Sequence, residues 1–255
     1  MIVPGKELAF SMTMVMIGSV LLGLILIKWK KPTIRKIPAL EVTEEAVSRA
    51  TEMGKPVLFT TSGGGGGLHS SEFGAGHLAG LQILSRIARS CAKQGANLVC
   101  LFRWPEEVPV AQAIVNYAYR AEGQSESYNE ENIRFVAGDQ QAFAAGIIGF
   151  LEKERPATFF VIGPIWAEGL NLLGTGREVG CFQIGGSTTW GNSHEVVASC
   201  DYFYIGEEIY AASAQVSEDP RQQGAIWGED FAKWISMTLA IVGVILTTIG
   251  IKFIS

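Results

Sequence analysis

Charge is missing from two stretches of this 255-residue chain, residues 10–27 and 235–251. Each comes close to the roughly 20 apolar residues that carry a helix through a bilayer. Two such segments, with the polar sequence between them, argue against a soluble domain with buried core helices. Basic excess is missing as well. The 20 Lys and Arg stand against 25 Asp and Glu, a net charge of -5, which excludes the electrostatic footprint of a nucleic-acid binder. Metal ligands are few: 3 His and 4 Cys. Cys91, Cys100, Cys181 and Cys200 form no C-x-x-C pair, and His69, His77 and His194 are dispersed, so no metal site is expected. The cysteines are expected to be buried, reduced thiols in a cytosolic setting. There is no G-x-S-x-G elbow for a hydrolytic nucleophile.

What is present begins at the first apolar run. Lys28, Lys30, Lys31, Arg35 and Lys36 follow it, whereas only Lys6 beside Glu7 precedes it. This bias places the basic flank in the cytoplasm. The run lacks a basic n-region and an A-x-A-like site, so it reads as an anchor and not as a cleaved signal peptide. Trp29 and Trp234 stand at the domain-side ends of the two segments, where indoles favour the headgroup zone. The expected organisation is a short non-cytoplasmic N-terminus (1–9), a membrane helix (10–27) and a basic linker (28–42). A cytoplasmic domain (43–228), a second membrane helix (234–251) and a C-terminus (252–255) follow. The expected location is the inner (cytoplasmic) membrane, crossed twice, in contact with lipid. The membrane segments lack charge, which leaves a transport pathway without support.

The middle of the chain alternates strand-like and helix-like segments. A helix is expected from Thr43 as N-cap to Gly54, with Val47, Ala50 and Met53 as its apolar stripe. Strands are expected at 56–62, 96–102, 133–137, 158–162, 181–184 and 201–205. Helices are expected at 72–94, 110–122, 140–154, 166–173, 193–198 and 207–215. Several of the strands are continuously apolar, the pattern of strands buried on both faces. The spacing predicts an α/β fold, a doubly wound, mostly parallel Rossmann-like sheet inserted between two transmembrane helices.

In such sheets ligands bind beyond the C-terminal strand ends. The expected rim therefore gathers Ser62 and Gly63, Gly64, Gly65, Gly66 and Gly67, then His69 and Ser70. Later strand ends add Arg103, Asp139, Glu168, Gly185, Gly186 and Ser187. Glycine amides at a helix start can hold an anion, so the cofactor expectation is a nucleotide or other anion at the pentaglycine. The match is incomplete. No lysine completes a P-loop, Leu68 stands where a third fingerprint glycine belongs, and no acidic ribose partner follows. The competing reading is a flexible loop, or one packed against a neighbouring subunit, and it is preferred. Ser70 with Glu72 resembles a helix cap, and His77 a packing residue. Asp139 and Glu168 form a possible carboxylate pair, but Asp139 also stands where an N-cap is expected, the preferred reading. Gly185 to Thr189 resembles a second anion nest, or equally a loop that must pass close to a neighbour. Ala142-x-x-x-Gly146, Ala145-x-x-x-Gly149, Ser19-x-x-x-Gly23 and Gly243-x-x-x-Thr247 suit close helix packing.

Three segments are distinctive in order: Glu44-Glu-Ala-Val-Ser-Arg-Ala-Thr-Glu-Met-Gly-Lys-Pro-Val57, Gly163-Pro-Ile-Trp-Ala-Glu-Gly169, and the stretch from Gly206 through Pro220 to Asp230. With them the chain resembles an uncharacterised prokaryotic two-span membrane protein family carrying a Rossmann-like domain of unknown function. The resemblance implies the architecture and supplies no catalytic residues. The expected function is a membrane-anchored scaffold or binding module that self-assembles into a homo-oligomer, open to other membrane proteins. The alternative is a sensor or enzyme holding a nucleotide or phosphometabolite at the glycine loop.

Overall fold

The computed structural model describes residues 7–27, 29 and 35–249, in two compact units, Arg35–Ser217 and Met1–Ile34 with Glu218–Ser255. The expected basic residues Lys28, Lys30 and Lys31 and the extreme termini lie outside the described residues. The elements run α1 Glu7–Leu26, α2 Pro38–Glu41, α3 Thr43–Met53, β1 Val57–Thr60, α4 Gly74–Gln94, β2 Leu98–Phe102, α5 Glu107–Ala121 and β3 Ile133–Phe135. They continue with α6 Gln140–Glu154, β4 Thr158–Gly163, α7 Gly169–Glu178, β5 Phe182–Ser187, α8 Ser193–Ser199, β6 Tyr202–Ile205, α9 Glu208–Ser217 and α10 Pro220–Thr248.

In the α/β unit the six strands form one sheet in the order β3-β2-β1-β4-β5-β6, every neighbouring pair parallel. This doubly wound order reverses direction between β1 and β4, where ligand crevices form. Alternation splits the core in two. Val57, Phe59, Cys100, Phe102, Phe160 and Ile162 face the side covered by α3, α4, α5 and α9. Leu58, Val99, Leu101, Phe159 and Val161 face the side covered by α6, α7 and α8. Each large apolar side chain so buried contributes about 1.5–3 kcal/mol. That is why the central strands read as unbroken apolar runs.

Element boundaries depart from the expectation in instructive places. A helical turn precedes Thr43, since α2 begins at Pro38, whose missing N–H costs nothing at a helix start. Thr43 is inside the helical run and donates its hydroxyl to Ala39 O instead of capping. β5 runs on through Gly185, Gly186 and Ser187, so the turn expected there begins at Thr188. A Cβ on Gly185 would lie 2.5 Å from Cys200 Sγ and 2.8 Å from Val196, and one on Gly186 3.0 Å from Tyr204. These glycines make room for their neighbours within a strand. The glycine of Ala142-x-x-x-Gly146 likewise packs on its own chain, at Val136, while Gly149 has open space. Asp139 is the N-cap of α6, accepting from Gln141 N at 3.0 Å and Ala142 N at 2.9 Å. Asp139→Ala is expected to cost about 1 kcal/mol, measurable by urea titration of the detergent-solubilised chain.

In the other unit, α1 and α10 pack antiparallel. Among the described residues, α10 is long and apolar enough to cross a membrane, and the apolar stretch Phe10–Leu26 of α1 is shorter. Residues 221–224 are part of α10, which Asp219 caps by accepting from Arg221 N at 2.8 Å. The helices meet at Ser19, Gly23, Gly224 and Gly228. A Cβ on Gly228 would lie 2.5 Å from Ser19 O and 2.6 Å from Val20 Cα, and one on Gly23 2.6 Å from Gly228 N. Ser19-x-x-x-Gly23 is thus a packing face, answered by Gly224-x-x-x-Gly228. Gly243 has nothing within 4 Å.

This pairing staggers the two apolar bands. Gly224 lies against Leu24 and Ile27, and Gly228 against Ser19 and Val20. Leu21, Leu22, Ile25 and Leu26, all exposed, therefore run beside the polar first turns of α10. The exposed pair Glu229 and Asp230, with Lys233 at 3.5 and 3.6 Å, comes level with the middle of α1. Trp234, expected level with the end of α1, lies instead about ten residues beyond Gly224, or roughly 15 Å along the helix at 1.5 Å per residue. The glycines set the register: only there do both backbones tolerate so close an approach.

Candidate functional site

The loops after β1 and β4 leave the sheet at its point of reversal. After β1 the backbone turns sharply: Ser62 has φ 68°, and Gly65, Gly66 and Gly67 have φ 63°, 86° and 66°. Three successive left-handed residues suit glycine alone. The loop is not loose. A Cβ on Gly64 would overlap Pro164 O and lie 2.9 Å from Trp166, and one on Gly67 would overlap Glu106 and lie 2.9 Å from Trp104. Gly64 N–H donates to Pro164 O at 3.0 Å. Gly64, Gly65 and Gly67 are thus crowded by their own chain.

Glu168 closes the crevice. It is buried, and its Oε1 accepts from Gly63 N and from Ser62 Oγ, both at 3.0 Å, and from Trp166 N at 3.4 Å. Gln140 Nε2 donates to Oε2. Arg103 sits on the other side of Gly63, donating to Gly63 O, and through Nε to Gly138 O at 3.0 Å. Its guanidinium lies 4.7 Å from the centre of the Trp104 ring. Ser62, Gly63, Arg103 and Glu168, expected on one rim from their strand ends, are thus brought together.

Other expected residues stand apart. His69 is exposed at the end of a 3-10 turn, Gly67–His69. Ser70 Oγ accepts from Phe73 N at 3.0 Å, a local turn contact before α4. Asp139 caps α6 and does not pair with Glu168. Ser187 Oγ shares a hydrogen bond with Thr189 Oγ1 at 2.7 Å, and Thr189 Oγ1 donates to Ile165 O at 2.5 Å, so this segment ties the β5 and β4 loops together.

Sequence reasoning missed a buried pair beneath the loop. His77 and Glu107 are both fully buried, with Nδ1 and Oε1 2.5 Å apart. His77 Nε2 lies 2.9 Å from Gly64 O. A carbonyl only accepts, so Nε2 carries a proton and donates. Thr61 Oγ1 donates to Glu107 Oε2 at 2.6 Å. A hydroxyl, a carboxylate and an imidazole here stand in the wrong order for a catalytic triad. The hydroxyl bonds the carboxylate, so the imidazole is not aimed at it. The chain Thr61–Glu107–His77–Gly64 instead braces the loop from within.

Burial disfavours the thiolate and pushes Cys181 and Cys200 up to about 12, and Cys91 and Cys100 well above the ordinary thiol range. Among the described residues, no group of three or more His, Cys, Asp or Glu is placed to hold a metal ion. No curated protein matches the chain. A parallel six-stranded sheet with a glycine-rich loop at its reversal, joined in one sequence to a long apolar helix, is matched as a unit over residues 2–255: the chain belongs to the DUF6754 family, a domain of unknown function.

Proposed function

We propose that this protein is a two-pass, membrane-anchored scaffold or binding module whose α/β domain lies on the cytoplasmic face and which self-assembles into a homo-oligomer. The observation that carries the assembly is the stagger of α1 against α10. A bilayer placed on the charge-free part of α10 leaves Leu21, Leu22, Ile25 and Leu26 outside its hydrocarbon, where exposed apolar surface costs about 25 cal/mol per Å². A bilayer placed on Phe10–Leu26 puts Glu229, Asp230 and Lys233 inside it, at about 2.5–3.5 kcal/mol per charge. Roughly 30 Å of hydrocarbon does not cover both bands of a lone helix pair. Neighbouring copies relieve either mismatch by covering the surface left over. The basic flank supports the cytoplasmic placement of the domain.

Mass photometry of the full chain extracted in mild detergent tests this. Particles of several chain masses are expected, and Ile25→Lys, away from the glycine contact, is expected to dissociate them. A clean monomer for the unaltered chain overturns the proposal.

A second reading is favoured by one observation, the glycine-rich loop at the sheet's reversal. It makes the domain a sensor or enzyme for a nucleotide or phosphometabolite. Thermal-shift measurements against nucleotides and dinucleotides test it, and stabilisation at millimolar ligand is the result it requires.

A further inference from the structure

We propose that the glycine-rich loop is an oxyanion cradle whose resident anion is the protein's own Glu168 carboxylate. The cradle lies where doubly wound sheets hold anionic ligands. Its donors, Gly63 N and Ser62 Oγ, both meet the same carboxylate oxygen at 3.0 Å, and Trp166 N approaches it at 3.4 Å. The second oxygen is taken by Gln140. Glu168 is 1% exposed, and among the described residues no basic side chain forms an ion pair with it. The direct partners of the carboxylate are neutral N–H and O–H donors, which is how backbone nests hold anions. Arg103, by binding Gly63 O and Gly138 O, holds the peptide that follows Gly63, next to the one whose N–H meets the carboxylate.

The arrangement has a functional consequence. An external carboxylate or phosphate group reaches Gly63 only by displacing Glu168, so the wild-type loop is a closed joint between the β1 and β4 segments. The inference does not rest on the assembly proposed above, which concerns α1 and α10. It does bear on the nucleotide reading, because it makes the unaltered cradle full.

Truncation of Glu168 should leave a vacancy shaped for a small carboxylate. Thermal unfolding of the full chain in detergent, with sodium formate or sodium acetate against sodium chloride at equal ionic strength, tests this. For Glu168→Ala, formate and acetate are expected to raise the midpoint by several degrees with saturation, while chloride does not. Wild type is expected to show no difference between the salts. Glu168→Gln, whose side chain still fills the cradle, is expected to be less stable than wild type and equally indifferent. If Glu168→Ala is unfolded in chloride, the readout is recovery of folded protein by circular dichroism in formate. An Ala variant that gains nothing from formate or acetate overturns the proposal. So does a wild type that gains as much as the variant, or that is stabilised by inorganic phosphate.

Discussion

Glu107→Ala is expected to destabilise the protein by about 3–5 kcal/mol, the cost of removing one partner from a fully buried acid–base pair. The magnitude follows from the surroundings of His77. Its Nε2 donates to Gly64 O, so one proton is committed there, and Nδ1 lies 2.5 Å from Glu107 Oε1. Neither His77 Nδ1 nor Glu107 Oε1 has a hydrogen-bond partner elsewhere among the described residues, so each depends on this contact. Alanine leaves the buried Nδ1 without its carboxylate and the Thr61 hydroxyl without its partner. Glu107→Gln separates this from a loss of packing. Its amide can donate to neutral Nδ1 while its oxygen accepts from Thr61, so a loss under about 1.5 kcal/mol is expected. The double variant His77→Ala with Glu107→Ala should lose less than the sum of the single losses, because no orphaned group remains. Urea titrations of the four proteins measure all three terms. A Glu107→Ala loss below 1 kcal/mol would show that the pair does not brace the loop.

Much of this architecture is legible in the sequence, and the residues show where legibility ends. Val57–Thr60, Leu98–Phe102 and Thr158–Gly163 are continuously apolar because each is covered on both faces, so strand identity and parallel pairing follow from local pattern. The positions of Ser62, Gly63, Arg103 and Glu168 at strand ends place them on one rim. Which strand end meets which depends on the reversal between β1 and β4, and no local pattern encodes that. His77 and Glu107 escaped notice for a related reason. His77 falls in the apolar stripe of α4, and Glu107 passes for a first-turn acid complementing the dipole of α5. Their pairing exists only once α4 and α5 lie side by side. Gly185 and Gly186 misled in the opposite direction. Glycine pairs usually mark turns, but here close approach by Cys200, Val196 and Tyr204 demands a missing side chain within a strand. The Gly224-x-x-x-Gly228 face is hidden in the sequence because its charged neighbours Glu229 and Asp230 separate it from the charge-free segment.

The pentaglycine itself allows strain and crowding to be measured separately, through Gly65→Ala and Gly54→Ala. Both glycines are left-handed, with φ 63° and 62°, so both substitutions incur the same backbone penalty of about 1–2 kcal/mol. They differ in their surroundings. Gly54 is the C-cap of α3 and has nothing within 4 Å, whereas a Cβ on Gly65 would overlap the Phe73 ring and lie 2.8 Å from its Cβ. Phe73 has little room to yield, since its ring packs edge-on against Trp166 with centroids 5.7 Å apart. Overpacking of this kind adds about 1–3 kcal/mol. Gly54→Ala is therefore expected to cost about 1 kcal/mol and Gly65→Ala about 3 kcal/mol, read from urea midpoints at constant slope. The difference between them, not either value alone, reports how tightly the loop is packed on its own chain. Equal losses would mean that Phe73 moves freely and that the loop opens without resistance. In that case Glu168 would be readily displaced, and the crevice between β1 and β4 would be accessible to an external anion.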